Sequence, residues 1–132
     1  MSTKPRVIAI LDDEDGLRRA LTRLLNTHGF EVVTYATGPE FVADAVLRRF
    51  DCLLLDLYMP GMSGLDVLAE LRWNPDAPPT IVITGHDDPD LVKRALALNA
   101  FDCQKKPISE ANLLQAIDRA LHRNDPAPAA PH

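Results

Sequence analysis

The sequence predicts a doubly wound α/β domain, with a five-stranded parallel sheet and five helices on both faces of the sheet. Five short runs rich in apolar or β-branched residues alternate with five segments whose apolar residues recur at helical spacing. This alternation is typical of a parallel sheet with helical crossovers. Four of the five runs end in a polar or charged side chain. In open α/β sheets, the carboxyl ends of the strands form the edge that binds ligands.

The third strand-like run is the most apolar. Residues 52–55 are four consecutive apolar residues between Asp51 and Asp56, which is typical of a strand buried on both faces. Pro60 and Gly61 then force a loop, so the Asp56 carboxylate is expected at the carboxyl edge of the sheet. The five predicted strands are residues 6–11, 31–35, 52–55, 80–84 and 101–105.

The helical segments carry start and stop signals. Ser63 and Ser109 can cap the third and fifth helices, and Pro39 and Pro89 mark the starts of the second and fourth. Gly29 is placed to end the first helix. The apolar faces are Leu17, Ala20, Leu21, Leu24 and Leu25; Phe41, Val42, Ala45 and Val46; Leu65, Leu68, Ala69 and Leu71; Leu91, Ala95 and Leu98; and Leu113, Ile117, Ala120 and Leu121.

Composition limits the classes of function. A chain of 132 residues with 46% hydrophobic content can form one domain without metal or disulfide cross-links. A net charge of −5 argues against direct binding to nucleic acid or to an anionic membrane. No segment resembles a signal peptide or a membrane-spanning run, and Cys52 and Cys103 lie in apolar surroundings that suit reduced thiols. We therefore expect a cytoplasmic protein.

Five polar side chains are expected to meet at the carboxyl edge of the sheet: Asp12, Asp13, Asp56, Thr84 and Lys106. Three crowded carboxylates repel one another, and a hard divalent cation relieves that repulsion. Mg²⁺ prefers such oxygen ligands, whereas a zinc site has little support because the strand ends carry few histidines or cysteines.

This set of residues suits phosphoryl transfer. Asp56 is the most central carboxylate and can act as a nucleophile. The Lys106 ammonium and the Thr84 hydroxyl can then contact two oxygens of the phosphoryl group. Taken singly, each acid is more often a solvated loop residue or a helix cap, so the prediction rests on the combination.

The same motifs resemble the receiver domain of two-component response regulators. The resemblance covers about residues 5 to 123 and is closest to the FixJ-type transcriptional branch. It rests on Asp12-Asp13, on Asp56 followed by Met59-Pro60-Gly61, on Thr84-Gly85, and on Lys106-Pro107. It implies a flavodoxin-like sheet with strand order 2-1-3-4-5 and a receiver domain that spans residues 1–123.

The resemblance also implies roles for the residues at the metal site. Asp56 would be the phosphoacceptor. Asp13, Asp56 and the backbone carbonyl of Tyr58 would bind Mg²⁺ directly, and Mn²⁺ could take its place. Asp12 would act through a metal-bound water. Thr84 and Lys106 would contact the phosphoryl group.

The implied partners are a sensor histidine kinase or a phosphotransfer protein, which would donate the phosphoryl group. Phosphorylation would switch a surface formed by the fourth helix, fifth strand and fifth helix, which would dimerise or meet an output partner. Such a protein catalyses only its own phosphorylation and dephosphorylation. Residues 124–132 are rich in proline and alanine and are expected to be a disordered tail or a linker, for example to a helix-turn-helix domain.

Several further positions lie outside this set of site residues. Cys103 stands where the family usually has an aromatic switch residue, and Phe101 is expected to point to the same strand face. Tyr58 and His86 occupy positions that tune hydrolysis of the aspartyl phosphate in the family, although plain solvent exposure explains His86 equally well. Trp73 is expected to pack against the domain, with a role as a partner anchor as the alternative.

Two other functions remain open. A Mg²⁺-dependent phosphohydrolase would use the same acids, but it usually needs a second acid two residues after Asp56, where this chain has Tyr58. A degenerate receiver would bind partners without phosphorylation. The Cys103 departure favours that alternative, whereas the intact acidic set and Lys106 oppose it.

Overall fold

The computed structural model describes residues 4–85 and 88–123 of the chain. Each predicted strand and helix is present, within one or two residues of its predicted bounds at most ends. The tail at 124–132 and His86 lie outside the described residues. The elements are β1 (Val7–Leu11), α1 (Asp15–Thr27), β2 (Glu31–Tyr35), α2 (Gly38–Ala45), β3 (Cys52–Asp56), α3 (Gly64–Leu71), β4 (Thr80–Thr84), α4 (Pro89–Ala97), β5 (Asp102–Lys105) and α5 (Glu110–Leu121).

The five strands form one parallel sheet in the order β2-β1-β3-β4-β5, which confirms the predicted fold class and strand order. The central strand β3 pairs with β1 and β4 on its two sides. All five of its residues are buried. The position of β3 explains its continuous apolar sequence, because a central strand with helices on both faces exposes neither face to water.

The sheet separates two apolar cores. Leu53 and Leu55 of β3 pack with α2, α3 and α4 on one face, whereas Cys52 and Leu54 pack with α1 and α5 on the other. This alternation follows from the two-residue period of a strand. It places helices on both faces, and it leaves the ends of the strands as the place where polar side chains can collect.

Local signals fix the helix ends as predicted. Ser63 and Asp66 form a reciprocal capping box at the start of α3. The Ser109 hydroxyl accepts a hydrogen bond from the backbone N–H of Asn112, at 3.3 Å, at the start of α5. Gly29 follows the end of α1 with a φ of +86°, a conformation that glycine adopts at little cost.

The predicted packing role of Trp73 is wrong. Its side chain is 77% exposed, and the Arg72 guanidinium lies 5.2 Å from its ring centroid. Helix α3 ends at Leu71, so Trp73 lies in the following turn and not on the face that α3 buries. Val46 is likewise 74% exposed, because α2 ends one residue before it.

The predicted orientation of Phe101 is also wrong. Phe101 packs against the core on the α1 and α5 side of the sheet, whereas Cys103 packs on the opposite side. Strand β5 begins at Asp102, so the strand alternation that links positions 101 and 103 does not extend to Phe101.

Among the described residues, no helix is long and apolar enough to cross a membrane.

Candidate functional site

A pocket of about 220 Å³ lies at the carboxyl edge of the sheet. Strand β1 ends beside it, strand β3 contributes Asp56, and the segment after β5 contributes Lys106. We call it the acidic pocket, and its lining residues are Asp13, Glu14, Asp56, Tyr58, Gly85 and Lys106.

The three predicted carboxylates come together here. One oxygen from each of Asp12, Asp13 and Asp56 lies within 4.8 Å of the other two. Asp12 and Asp56 are only 2% and 4% exposed, whereas Asp13 is exposed. Burial, followed by the charge of Asp12, raises the pKa of Asp56 to about 6. Burial also raises the pKa of Asp12. The carboxylates of the pocket therefore carry more negative charge than the single ammonium of Lys106 neutralises.

One buried oxygen supports a cation site. Oδ1 of Asp12 accepts a hydrogen bond of 2.8 Å from the backbone N–H of Glu14. Oδ2 accepts none within the part of the chain that the structure describes. The Lys106 ammonium lies 3.4 Å from Oδ2, which is an ion pair without hydrogen-bond geometry. A buried carboxylate oxygen is rarely left in this state. An all-oxygen cluster with such an atom fits Mg²⁺.

Lys106 supplies the positive charge of the pocket. Its ammonium lies 3.2 Å from Glu14 Oε1, 3.4 Å from Asp12 Oδ2 and 3.8 Å from Asp56 Oδ2. Partial burial lowers the pKa of Lys106, but the charges of the acids outweigh that effect and raise it overall. The backbone N–H of Lys106 donates to the Thr84 carbonyl at 2.8 Å, and the Lys106-Pro107 peptide bond is cis.

Close packing of the loop after β3 positions Asp56. The backbone N–H of Tyr58 donates to Asp56 Oδ1 at 3.2 Å, and the N–H of Gly64 donates to the Leu57 carbonyl at 3.1 Å. A Cβ atom at Gly64 would lie 2.5 Å from the Asp56 carbonyl oxygen, closer than real Cβ atoms approach. Glycine at position 64 therefore allows the loop to fold back against the end of β3.

The side chain of Tyr58 links the pocket to α4. Its hydroxyl donates to Asp88 Oδ2 at 3.3 Å, and Asp88 Oδ1 accepts from the backbone N–H of Leu91 at the start of α4. Partial burial and the neighbouring charge of Asp88 raise the pKa of Tyr58, so the phenol stays protonated as a donor near neutral pH.

The remaining predicted site residues are Thr84, Cys103 and His86. Thr84 ends β4 and is 2% exposed. Cys103 lies on β5, where it pairs in register with Val82 of β4, and burial raises the pKa of its thiol. His86 lies outside the described residues, so its predicted tuning role stays a prediction.

Sequence reasoning missed three contributors to the site. Glu14 accepts a hydrogen bond from Lys106, Asp88 accepts one from Tyr58, and Arg18 donates to the Asp12 carbonyl at 2.6 Å. Glu14 belongs to the acidic run after β1, which could have marked it as a neighbour of the pocket. No sequence pattern marked Asp88 as a partner of Tyr58.

Fold and pocket together define a flavodoxin-like domain with a cluster of acids and a lysine at the carboxyl edge of its sheet. Comparison with known families gives the particular family. The family described as the response regulator receiver domain matches residues 8–118. The chain therefore belongs to this family and is a receiver domain of the two-component response regulator class.

Curated relatives agree. The chain is 38% identical to the response regulator protein TodT of Pseudomonas putida over 121 residues, which are 92% of this chain and 53% of that protein. It is 33% identical to the transcriptional regulatory protein FixJ of Azorhizobium caulinodans, over 89% of this chain and 56% of FixJ. The chain spans about half the length of these relatives.

Solved structures agree as well. The crystal structure of FixJ-N covers 96% of this chain and 100% of its own, at 33% identity and a TM-score of 0.84. The chemotaxis protein CheY4 of Vibrio cholerae covers 89% of this chain and 100% of its own, at 28% identity and a TM-score of 0.84. These matches agree with the predicted receiver fold and with the resemblance to the FixJ-type branch.

Proposed function

We propose that Asp56 accepts a phosphoryl group from a phosphohistidine on a sensor histidine kinase or phosphotransfer protein, in a reaction that depends on Mg²⁺. The observation that carries this proposal is one arrangement: a carboxylate that is 4% exposed lies 3.8 Å from the Lys106 ammonium, within a cluster of three acids. In the transfer, the P–N bond breaks and a P–O bond to Asp56 forms. The histidine nitrogen keeps the electron pair of the broken bond.

Asp13, Asp56 and the Tyr58 carbonyl would hold the metal directly, and Asp12 would act through a water. A bound Mg²⁺ or Mn²⁺ ion offsets the repulsion among the acids and neutralises charge on the phosphoryl oxygens. Oδ2 of Asp12, which accepts no hydrogen bond within the described residues, supports this assignment. Burial, followed by the charge of Asp12, raises the pKa of Asp56 to about 6, and a bound cation would offset both effects.

Two further side chains would contact the phosphoryl group. Lys106 stays protonated near neutral pH because the acids raise its pKa, and its ammonium would donate to one phosphoryl oxygen. The Thr84 hydroxyl, at the end of β4, would donate to a second. Donors fixed on the scaffold stabilise developing charge without a large reorganisation.

The chain itself would catalyse only its own phosphorylation and dephosphorylation. Phosphorylation would shift a pre-existing equilibrium at the α4-β5-α5 surface, where Leu96 is 48% exposed, and that surface would dimerise or bind an output partner. Because the match to this chain covers only 56% and 57% of two relatives named as transcriptional regulators, we propose control of transcription through a further domain of the protein, in the cytoplasm.

Intact mass measured after incubation with a small phosphodonor and Mg²⁺ tests the proposal. We expect a gain of one phosphoryl group that disappears in Asp56→Asn and in excess chelator. Asp118→Asn is the matched control because Asp118 is a 74% exposed acid on α5, away from the pocket. It should gain the same mass as the parent protein.

Several outcomes would overturn this function. A mass gain that survives Asp56→Asn would remove Asp56 as acceptor, and no gain at all would favour a degenerate receiver. Steady release of phosphate from p-nitrophenyl phosphate would favour a phosphohydrolase. Light scattering with and without a phosphate mimic tests whether the α4-β5-α5 surface forms a dimer.

A further inference from the structure

We propose that Asp88 is a positioning residue that couples the acidic pocket to helix α4 through its hydrogen bond with Tyr58. This inference rests on the proposed function of Asp56 and adds a route by which the chemistry at Asp56 reaches the α4 surface. Three contacts, each between described residues, carry the argument.

The first contact joins Asp56 to Tyr58. The backbone N–H of Tyr58 donates to Asp56 Oδ1 at 3.2 Å, and the residue lines the acidic pocket. A change at the Asp56 carboxylate, such as formation of a P–O bond, alters the acceptor of this hydrogen bond. The main chain of Tyr58 therefore responds directly to the state of Asp56.

The second contact joins Tyr58 to Asp88. The Tyr58 hydroxyl donates to Asp88 Oδ2 at 3.3 Å, across a separation of 30 residues in the chain. This distance exceeds the usual range of about 2.5–3.0 Å for an O–H donor, so the bond is weak and a small displacement of Tyr58 is enough to break it. The contact bridges the loop after β3 and the first turn of α4.

The third contact joins Asp88 to α4. Oδ1 of Asp88 accepts the backbone N–H of Leu91 at 3.2 Å as the cap of the helix. The two oxygens of one carboxylate thus serve Tyr58 and the helix start at the same time. Rotation of the Asp88 carboxylate to follow Tyr58 would weaken the cap, which is a main stabiliser of a helix start.

Helix α4 is suited to respond to such a small change. Ala95 is its one fully buried residue, whereas α5 buries Leu113, Ala116, Ile117 and Ala120. A helix with little buried surface depends more on its cap, and it opens locally at a lower free energy. By thermodynamic reciprocity, a partner that binds α4 would also change phosphorylation at Asp56 through Asp88.

Asp88→Ser isolates the coupling. Serine is a good cap residue, but its short side chain cannot cap the helix and reach Tyr58 together. We measure amide hydrogen exchange over residues 89–97 before and after phosphorylation with a small phosphodonor and Mg²⁺. In the parent protein we expect exchange there to change by about fivefold or more. In Asp88→Ser we expect most of that change to be lost, although the phosphoryl mass gain remains.

Two further variants sharpen the test. Tyr58→Phe removes only the hydroxyl and should lose the α4 response to the same extent, and the double variant should lose no more than either single variant. Asp90→Ser changes an exposed acid in the same helical turn and should keep the full response. A role in folding alone would change exchange equally in both phosphorylation states, so the phosphorylation-dependent difference is the deciding quantity.

The outcomes separate the two proposals. A full α4 response in phosphorylated Asp88→Ser or Tyr58→Phe overturns the coupling, and a normal mass gain in Asp88→Ser leaves the function of Asp56 intact. The absence of a mass gain in the parent protein overturns the function of Asp56, and the coupling that rests on it fails as well.

Discussion

The ammonium of Lys106 lies closer to Glu14 than to Asp56, at 3.2 Å from Glu14 Oε1 and 3.8 Å from Asp56 Oδ2. Lys106, which is proposed to contact the phosphoryl group, therefore also pairs with Glu14, an acid that has no role in the proposed chemistry. Glu14 is 63% exposed, so its pair with Lys106 is screened by solvent and contributes at most ~1 kcal/mol. Phosphorylation at Asp56 must draw Lys106 away from this competitor.

Glu14→Gln should therefore speed phosphorylation of Asp56. Loss of an ion pair worth up to ~1 kcal/mol corresponds to an increase of about two- to fivefold in rate. The rate of mass gain at saturating Mg²⁺ measures it. Asp15→Asn is the control, because Asp15 is 68% exposed and pairs with Arg18 and Arg19. An unchanged or slower rate in Glu14→Gln would contradict the competition.

Mg²⁺ should stabilise the folded protein. A ligand at 100 times its Kd adds about 2.7 kcal/mol to the free energy of unfolding, which raises Tm by roughly 10 °C for a domain of this size. Thermal unfolding with and without Mg²⁺ measures the shift. Asp13→Asn should reduce it sharply, since Asp13 offers an exposed ligand oxygen, and Asp118→Asn should not. An equal shift in Asp13→Asn would exclude Asp13 as a ligand.

Metal-free stability should fall as pH rises from about 4 to about 6. The pKa of Asp56 rises from 3.8 to about 6 on folding, mainly through burial, so the folded state binds the proton more tightly than the unfolded state. Below pH 3.8 both states hold the proton and the carboxylate carries no penalty. Above pH 6 both states have released it, and the folded state carries the full penalty of at most ~3 kcal/mol.

Asp56→Asn tests this sign. At pH 7 in chelator, the substitution should raise the free energy of unfolding by ~1–3 kcal/mol, because it removes the buried charge. At pH 4 the difference should nearly vanish. Denaturant titrations at the two pH values measure both quantities. A destabilised Asp56→Asn at pH 7 would mean that its ion pair with Lys106 outweighs the penalty of burial.

The fold could be predicted because its signals are local. The apolar run of β3 and the cap residues Ser63 and Ser109 each act within a few residues of the chain, and the structure agrees with all of them. Strand order came from family resemblance, because periodicity carries no information on which strands are neighbours.

The parts that could not be predicted depend on distance in space. Glu14 meets Lys106 across a separation of 92 residues, and Tyr58 meets Asp88 across 30. Their side-chain types are compatible with many surface positions, so no sequence pattern selects these pairs. The prediction that Trp73 packs against the domain was wrong for a related reason. An apolar side chain predicts burial only while the helix that carries it continues, and α3 ends before Trp73.

The two thiols should react slowly in the folded protein. Burial raises the pKa of Cys52 to about 12, and Cys52 is fully buried. Because the thiolate is the reactive form, labelling at pH 8 should be ~1000-fold slower than for a free thiol. Cys103 is partly exposed and should label first. Absorbance during labelling with a disulfide reagent measures both rates, with Cys103→Ser as control. Fast labelling in that variant would contradict the burial of Cys52.

Gly64→Ala should destabilise the domain and disturb Asp56. The added methyl group would lie 2.5 Å from the Asp56 carbonyl oxygen and 2.7 Å from the Leu57 Cα, both backbone atoms that cannot rotate away. We expect a loss of about 1–3 kcal/mol in the free energy of unfolding, together with slower phosphorylation. Gly16→Ala is the matched control. A Cβ at Gly16 meets no atom within 4 Å, and alanine in helix α1 should stabilise the protein by about 0.4–1 kcal/mol. Equal effects of the two substitutions would mean that the loop after β3 yields to the added methyl group and that the position of Asp56 does not depend on Gly64.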